Sequence, residues 1–192
     1  MTTLLLIDLQ KGMCDPAGSG GATGLADVVS ANKTLPAAAR ALTHARTVGM
    51  GIVHVRLAFD SAYSNRTNAT QRFAAHESAG RFAAGSFDTE WCDEVAPREG
   101  EATVQKGSVS PFASTSLLTL FARRRETHLV IAGVATHLAV ESAAREGADR
   151  GLQVDVLGDA CAAPQALHEH SLHHILPGFA TVTTVDDFRR NQ

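Results

Sequence analysis

Five short apolar runs recur along the chain: "TLLLID" (3 to 8), "GIVHVR" (51 to 56), "HLVIAG" (128 to 133), "QVDVLG" (153 to 158) and "ATVTTV" (180 to 185). "ATVQK" (102 to 106) is a weaker sixth. Most are apolar enough for burial on both faces, which is the pattern of parallel strands rather than of a sheet with one wet side. Parallel strands cannot be joined by tight hairpins and need a crossover, usually a helix. Ala-rich stretches of helical composition lie where such crossovers belong, at about 30 to 48, 115 to 125, 138 to 150 and 165 to 175. The alternation predicts an α/β fold, a three-layer Rossmann-like arrangement of a parallel sheet flanked by helices. Leu117, Leu118 and Phe121 sit at helical spacing and are expected to form a core stripe. Residues 57 to 99 keep no clean period and mix Asn, Ser and Gly with aromatic side chains. They read as a long excursion with one short helix, a lid or pocket wall.

A chain of 192 residues with 44% hydrophobic content is long enough for one well-buried core and short for two, so one domain over 1–192 is expected. The net charge is -3 and the 17 Lys and Arg residues are dispersed, which leaves no electrostatic footprint for nucleic acid or an anionic membrane. "RRRE" at 123 to 126 reads as the solvated end of a helix. "MTTLLLIDLQ" lacks a basic n-region and a cleavage site, and Asp8 interrupts its apolar run, so a cytoplasmic protein is expected. Cys14, Cys92 and Cys161 form an odd, widely spaced set with no CxxC, which points to reduced thiols rather than a disulfide framework or a zinc site.

In an open parallel sheet, ligands bind beyond the carboxyl ends of the strands. Three such ends carry unusual residues. The first strand ends in Asp8, followed by Gln10; read alone, Asp8 is as readily a turn residue as a functional carboxylate. Lys106 ends "ATVQK" and is followed by "GSVSPF", whose Gly, Pro and Phe imply a turn that fixes the lysine beside an apolar wall. The third end is "HLVIAGVATHLA", where a Gly-containing turn leads to a helix N-terminus near His137 to Ala139. Free N–H groups in the first helical turn would lower the pKa of a thiol there and could hold an oxyanion. A thiol at 139, with Asp8 as proton shuttle and Lys106 as stabilising cation, would be a complete nucleophilic site. Residue 139 is alanine.

"LLLIDLQKGM", "VQKGSVSPFASTSL", "LVIAGVATHLAVESAAREGADRGLQVDVLGDACAA" and "HHILPGFATVTT" together resemble the isochorismatase-like cysteine hydrolase superfamily over essentially the whole chain. The resemblance implies a six-stranded parallel sheet and a catalytic triad at Asp8, Lys106 and position 139. It also implies a non-proline cis peptide at Val134-Ala135, an oxyanion hole from the N–H groups of Ala135 and Ala139, and a homodimer or homotetramer. At the third strand end the family pattern runs G-x-x-T-x-x-C-V. Gly133, Thr136 and Val140 match it, whereas Ala139 stands in place of the cysteine. Nicotinamidase-type members carry an Asp and His metal cluster after the second strand, but "VRLAFDSAYSN" offers Asp60 alone. His170 and His174 in "HEHSLHH" are at i, i+4 with no third ligand beside them. No metal and no other cofactor are expected.

Gln10, Phe59, Trp91, Phe112 and His137 are the candidate substrate contacts, with Arg56 a further pocket wall; packing is the competing role for each of the aromatic residues. The favoured reading is a hydrolase of a C–N bond (amide, carbamoyl or lactam type) in a small molecule, with its nucleophile replaced by Ala139 so that it is inactive or impaired and able to trap substrate. One alternative is a cysteine-independent vinyl ether hydrolase of isochorismatase type, with Asp8 as general acid. That chemistry needs no thiol, but such members resemble a "GVYAH" turn, from which "GVATHLAV" departs. The other is a non-catalytic ligand-binding homologue.

Overall fold

The computed structural model describes residues 1–190. The six strands are β1 (Thr2–Ile7), β2 (Gly51–Leu57), β3 (Ala102–Lys106), β4 (His128–Val134), β5 (Gln153–Ala162) and β6 (Thr181–Thr183). They form one sheet in the order β3-β2-β1-β4-β5-β6, with every neighbouring pair parallel. The helices are α1 (Lys11–Cys14), α2 (Leu25–Ala31), α3 (Thr34–Val48), α4 (Gln71–Ser78), α5 (Leu117–Arg124), α6 (Glu141–Asp149), α7 (Gln165–His170) and α8 (Val185–Arg190). Among the described residues no helix is long and apolar enough to cross a membrane.

Strand alternation sorts the core into two layers. Leu4 and Leu6 of β1 join Val130 and Ala132 of β4 beneath α3, whose Ala37, Ala38, Ala41, Leu42 and Ala45 make a buried stripe. Leu5 and Ile7 face the other way, toward Val53 and Val55, Leu117 and Phe121 of α5, and Ala143 and Ala144 of α6. Small residues let these helices lie close to the sheet: a methyl group on Gly147 of α6 would stand 3.3 Å from both Leu129 and Val154. Leu118 departs from the expected stripe and is 39% exposed, because it lies one residue, and so about 100°, round the helix from buried Leu117.

The excursion between β2 and β3 contains α4 and two short helical turns. Phe59, Phe73 and Phe82 form a small core of their own with Leu57. The excursion is tied to the sheet where β3 ends. The Thr67 N–H donates to Gly107 O at 3.2 Å, and a Cβ on Gly107 would fall 1.9 Å from Asn65 O, so this contact admits only glycine without backbone movement.

Just before β3, Glu101 accepts two hydrogen bonds from Arg46 of α3 (2.7 and 2.9 Å), one from the Arg98 N–H and one from His54 Nε2. Burial alone would push the Glu101 carboxyl up, but these donors hold it down at about 2. Burial likewise keeps His54 below its ordinary value, against the pull of Glu101, so the neutral ring donates. A carboxyl depressed in the folded state contributes stability above its unfolded value, here 4.5, and loses it as pH falls towards 2. Glu101→Gln is expected to cost about 1.5–3 kcal/mol near neutral pH. It should also flatten the dependence of stability on pH between 4.5 and 2, measured by urea denaturation at a series of pH values.

Candidate active site

The register of the sheet brings the three unusual strand ends level with one another. Ile7 pairs with Val55 on one side and with Gly133 on the other, and Lys106 pairs with Leu57. Asp8 therefore emerges beside the turn that leaves β4, while Lys106 lies two strands away across β2. Asp8 has φ +56, a left-handed conformation that Asp tolerates better than most residues. Its N–H still donates to Val55 O at 2.8 Å, so the backbone is held by the sheet while the carboxylate turns over the strand ends.

Lys106 Nζ reaches Asp8 Oδ2 at 2.8 Å and donates to Ser108 O at 2.9 Å. Asp8 is 3% and Lys106 2% exposed, so the pair is taken out of water. Burial raises the Asp8 pKa and outweighs the opposing charge and hydrogen bond of Lys106. The second carboxyl oxygen, Oδ1, is buried and finds no partner among the described residues. The site thus holds a carboxyl shifted towards protonation, with one oxygen free to exchange a proton and the other fixed by a cation.

The turn out of β4 is shaped by Gly133, whose φ of +144 and whose place 2.2 Å from Ile7 O, measured from a Cβ built on it, both exclude a side chain. The Val134-Ala135 peptide bond is cis. The chain then enters one π-helical turn, Thr136–Val140, which runs directly into α6. Ala139 is 3% exposed on the inner side of that turn, with Val140, Ala143 and Ala144 in the same buried cluster. Thr136 Oγ1 and His168 Nδ1 of α7 are hydrogen-bonded at 2.7 Å, a brace across 32 residues of sequence that no local pattern announces. The other thiols do not substitute for one at 139. Cys161 is 1% exposed on β5 with its pKa pushed up to about 12 by burial, and Cys14 is also held well above its ordinary value.

Several candidate contacts are committed elsewhere. Gln10 is 0% exposed; its amide nitrogen donates to Leu57 O and Asp88 O, and its oxygen accepts from the Leu57 N–H. It clamps β1 to β2 and to the excursion, and its polar atoms are used up in doing so. Phe59 is fully buried against Tyr63 and Phe73 in the core of the excursion. Phe112 packs edge-on to Phe121 beneath the Arg150 guanidinium. Trp91 is half-buried, stacked under Arg56 and edge-on to His54, while Arg56 also donates to Thr89 O. His137 alone of the five is half-buried at the turn itself, with a buried Nδ1 that has no partner among the described residues. Burial and then the charge of Arg72 on α4 lower its pKa. That charge reaches the turn from the excursion, a long-range influence that sequence could not provide.

Asp60 is spent on a local turn, accepting from the N–H groups of Ala62 and Ser64 and from the Ser64 hydroxyl. His170 and His174 lie 5.4 Å apart, ring centre to ring centre. Among the described residues no three His, Cys, Asp or Glu side chains gather in a way that could hold a metal ion.

The Isochorismatase domain family matches residues 2–187. The chain is 30% identical over 204 residues to the ureidoacrylate amidohydrolase RutB of Variovorax paradoxus, a match covering 99% of this chain and 81% of that protein. Its fold is similar to that of an isochorismatase family protein from Desulfovibrio vulgaris, with a TM-score of 0.85 at 23% identity over 99% of this chain and 97% of the other. It is also similar to that of N-carbamoylsarcosine amidase from Thermoplasma acidophilum, with a TM-score of 0.75 at 20% identity over 96% of each chain. A family match spanning almost every residue, on a fold shared from end to end, makes this chain a member of the isochorismatase-like hydrolase family.

Proposed function

We propose that this chain has the site of a C–N hydrolase for small amide, carbamoyl or ureido compounds, built on Asp8, Lys106 and position 139, with the nucleophile missing because residue 139 is alanine. The observation that carries the reading is the buried Asp8–Lys106 pair, set at 2.8 Å at the same sheet edge as the β4–α6 turn. Likeness to a ureidoacrylate amidohydrolase over 99% of the chain supports the substrate class.

In a chain with cysteine at 139, the thiol gives its proton to Asp8 and attacks the carbonyl carbon. Lys106 keeps the Asp8 carboxylate in place and offsets the charge that develops beside it. The N–H groups of Ala135 and residue 139 receive the oxyanion, and Asp8 returns the proton to the departing nitrogen. Water then attacks the thioester with Asp8 as base. The Ala139 methyl group has neither a proton to give nor a lone pair to attack with, so substrate binds but no acyl-enzyme forms.

A second reading is favoured by one observation. Asp8 has a raised pKa and a free Oδ1, which suits a general acid that protonates a vinyl ether without any thiol. The two readings separate in a direct assay of the chain as it stands. Binding of a carbamoyl or ureido acid by calorimetry without ammonia release, together with no turnover of isochorismate, is the outcome expected here. Hydrolysis of isochorismate would replace the first reading with the second.

A further inference from the structure

Two of the three cysteines line one cavity, in a place that the hydrolase site does not use. The segments 8–14 and 90–92 run side by side: Gln10 and Trp91 form an antiparallel bridge, the Lys11 N–H donates to Glu90 O at 2.8 Å, and the Cys92 N–H donates to Leu9 O at 3.3 Å. Cys14 stands one helical turn beyond Gln10, its N–H donating to Gln10 O at 3.0 Å, so its side chain falls on the same side as the bridge to Trp91. Both side chains belong to the same buried cluster, and the nearby Cys92 thiol together with burial holds the Cys14 thiol well up. The Cys14 sulfur also lies 4.0 Å from Asp8 O, the backbone of the site carboxyl.

Both cysteines are free, and both line a cavity of ≈ 480 Å³ between α1, α2 and the 92–94 segment. Lys11, Asp15, Lys33, Asp93 and Glu94 also line it. Cys14 is 7% and Cys92 5% exposed, in contrast to Cys161, which is 1% exposed and does not line the cavity. A cavity lined by charged side chains as well as by the two thiols suits a small polar oxidant, and its empty space leaves room for the sulfurs to close to bond length.

We propose that Cys14 and Cys92 are an oxidisable pair, a modification site at which a peroxide or a small disulfide converts two thiols into one intramolecular disulfide. With hydrogen peroxide, one thiol loses its proton and attacks a peroxide oxygen, the O–O bond breaks, and a sulfenic acid and water result. The second thiol then attacks that sulfur, the S–O bond breaks, and a second water leaves with the proton. Two thiols are oxidised and one peroxide is reduced. The product ties α1 to the 90–92 segment directly behind Asp8. Because thiolate is needed and burial disfavours it, closure is slow at neutral pH and accelerates in alkali.

The test is treatment of the native protein with hydrogen peroxide or oxidised glutathione, followed by alkylation under denaturing conditions and peptide mass mapping. The expected product has lost two hydrogens, shows one alkylatable thiol where the untreated chain has three, and yields a Cys14–Cys92 cross-linked peptide that dithiothreitol releases. Cys14→Ser and Cys92→Ser should each prevent the cross-link while leaving Cys161 free. A cross-link seen only after unfolding, oxidation that ends in intermolecular dimers, or Cys14 and Cys92 both recovered as free thiols after hours in excess oxidant at alkaline pH would each overturn the proposal.

Discussion

Replacing Ala139 by cysteine is expected to raise turnover of a small amide or carbamoyl substrate by on the order of 10⁴ to 10⁶, the range lost when a nucleophile is removed from a unit that acts together. The new thiol would sit at the first turn of the helical run that continues through α6, where unsatisfied N–H groups lower a thiol's pKa. Lys106 and Asp8 are already in contact and need no rearrangement. The added sulfur enters a buried position among Val140, Ala143 and Ala144, so a packing cost of about 1–3 kcal/mol is the upper expectation. Ammonia release measures turnover, and intact-protein mass spectrometry detects the acyl-thioester. A folded Ala139→Cys protein that forms no adduct, alongside an Ala139 protein that hydrolyses isochorismate, would transfer the assignment to vinyl ether chemistry.

Lys106→Met should destabilise the chain by about 3–5 kcal/mol, because it leaves the Asp8 carboxylate buried and uncompensated. The loss has a defined pH signature. Burial already raises the Asp8 pKa above its unfolded 3.8, and removal of the lysine raises it further. A carboxyl raised in the folded state favours folding below its unfolded value and loses that contribution as pH rises through its folded value. The variant should therefore approach the stability of the parent under acid conditions and fall behind it as pH rises above 3.8. Adding Asp8→Asn should restore much of the loss, since a neutral amide no longer needs the cation. Urea denaturation of the four proteins of this cycle gives the coupling directly. Additive effects of the two substitutions would mean that the 2.8 Å contact contributes nothing to stability.

The strands were legible because burial on both faces demands unbroken apolar runs, and few other structures demand them. β3 occupies the expected residues 102–106. β6 is shorter than the run 180 to 185: Thr181, Val182 and Thr183 pair with Asp155, Val156 and Leu157, and Val185 already opens α8. β5 is longer than its apolar run and continues to Ala162 through a register shift, after which Cys161 pairs with Gly133. Small residues in "GDACA" permit that shift, yet nothing in their composition requires it.

Asp8, Lys106 and Ala139 could be singled out in the sequence because each stands at a strand end or in the turn that follows one, and the crossover rule places all strand ends of one direction at one edge. Direction and edge follow from local pattern, which a chain carries in its own residue order. Gln10 looked like a substrate contact for the same reason and proved to be a clamp, since Leu57 and Asp88, which take up its amide, are 47 and 78 residues away. The influence of the Arg72 charge on His137, the His168 brace on Thr136 and the cavity shared by Cys14 and Cys92 belong to the same class. The alternation of buried runs and helices determined the sheet and the edge at which the candidate residues stand, because burial acts on every residue in turn. Which side chains face an open crevice and which are used up against the backbone was decided only by packing, because that depends on partners distant in sequence with no periodic signal of their own.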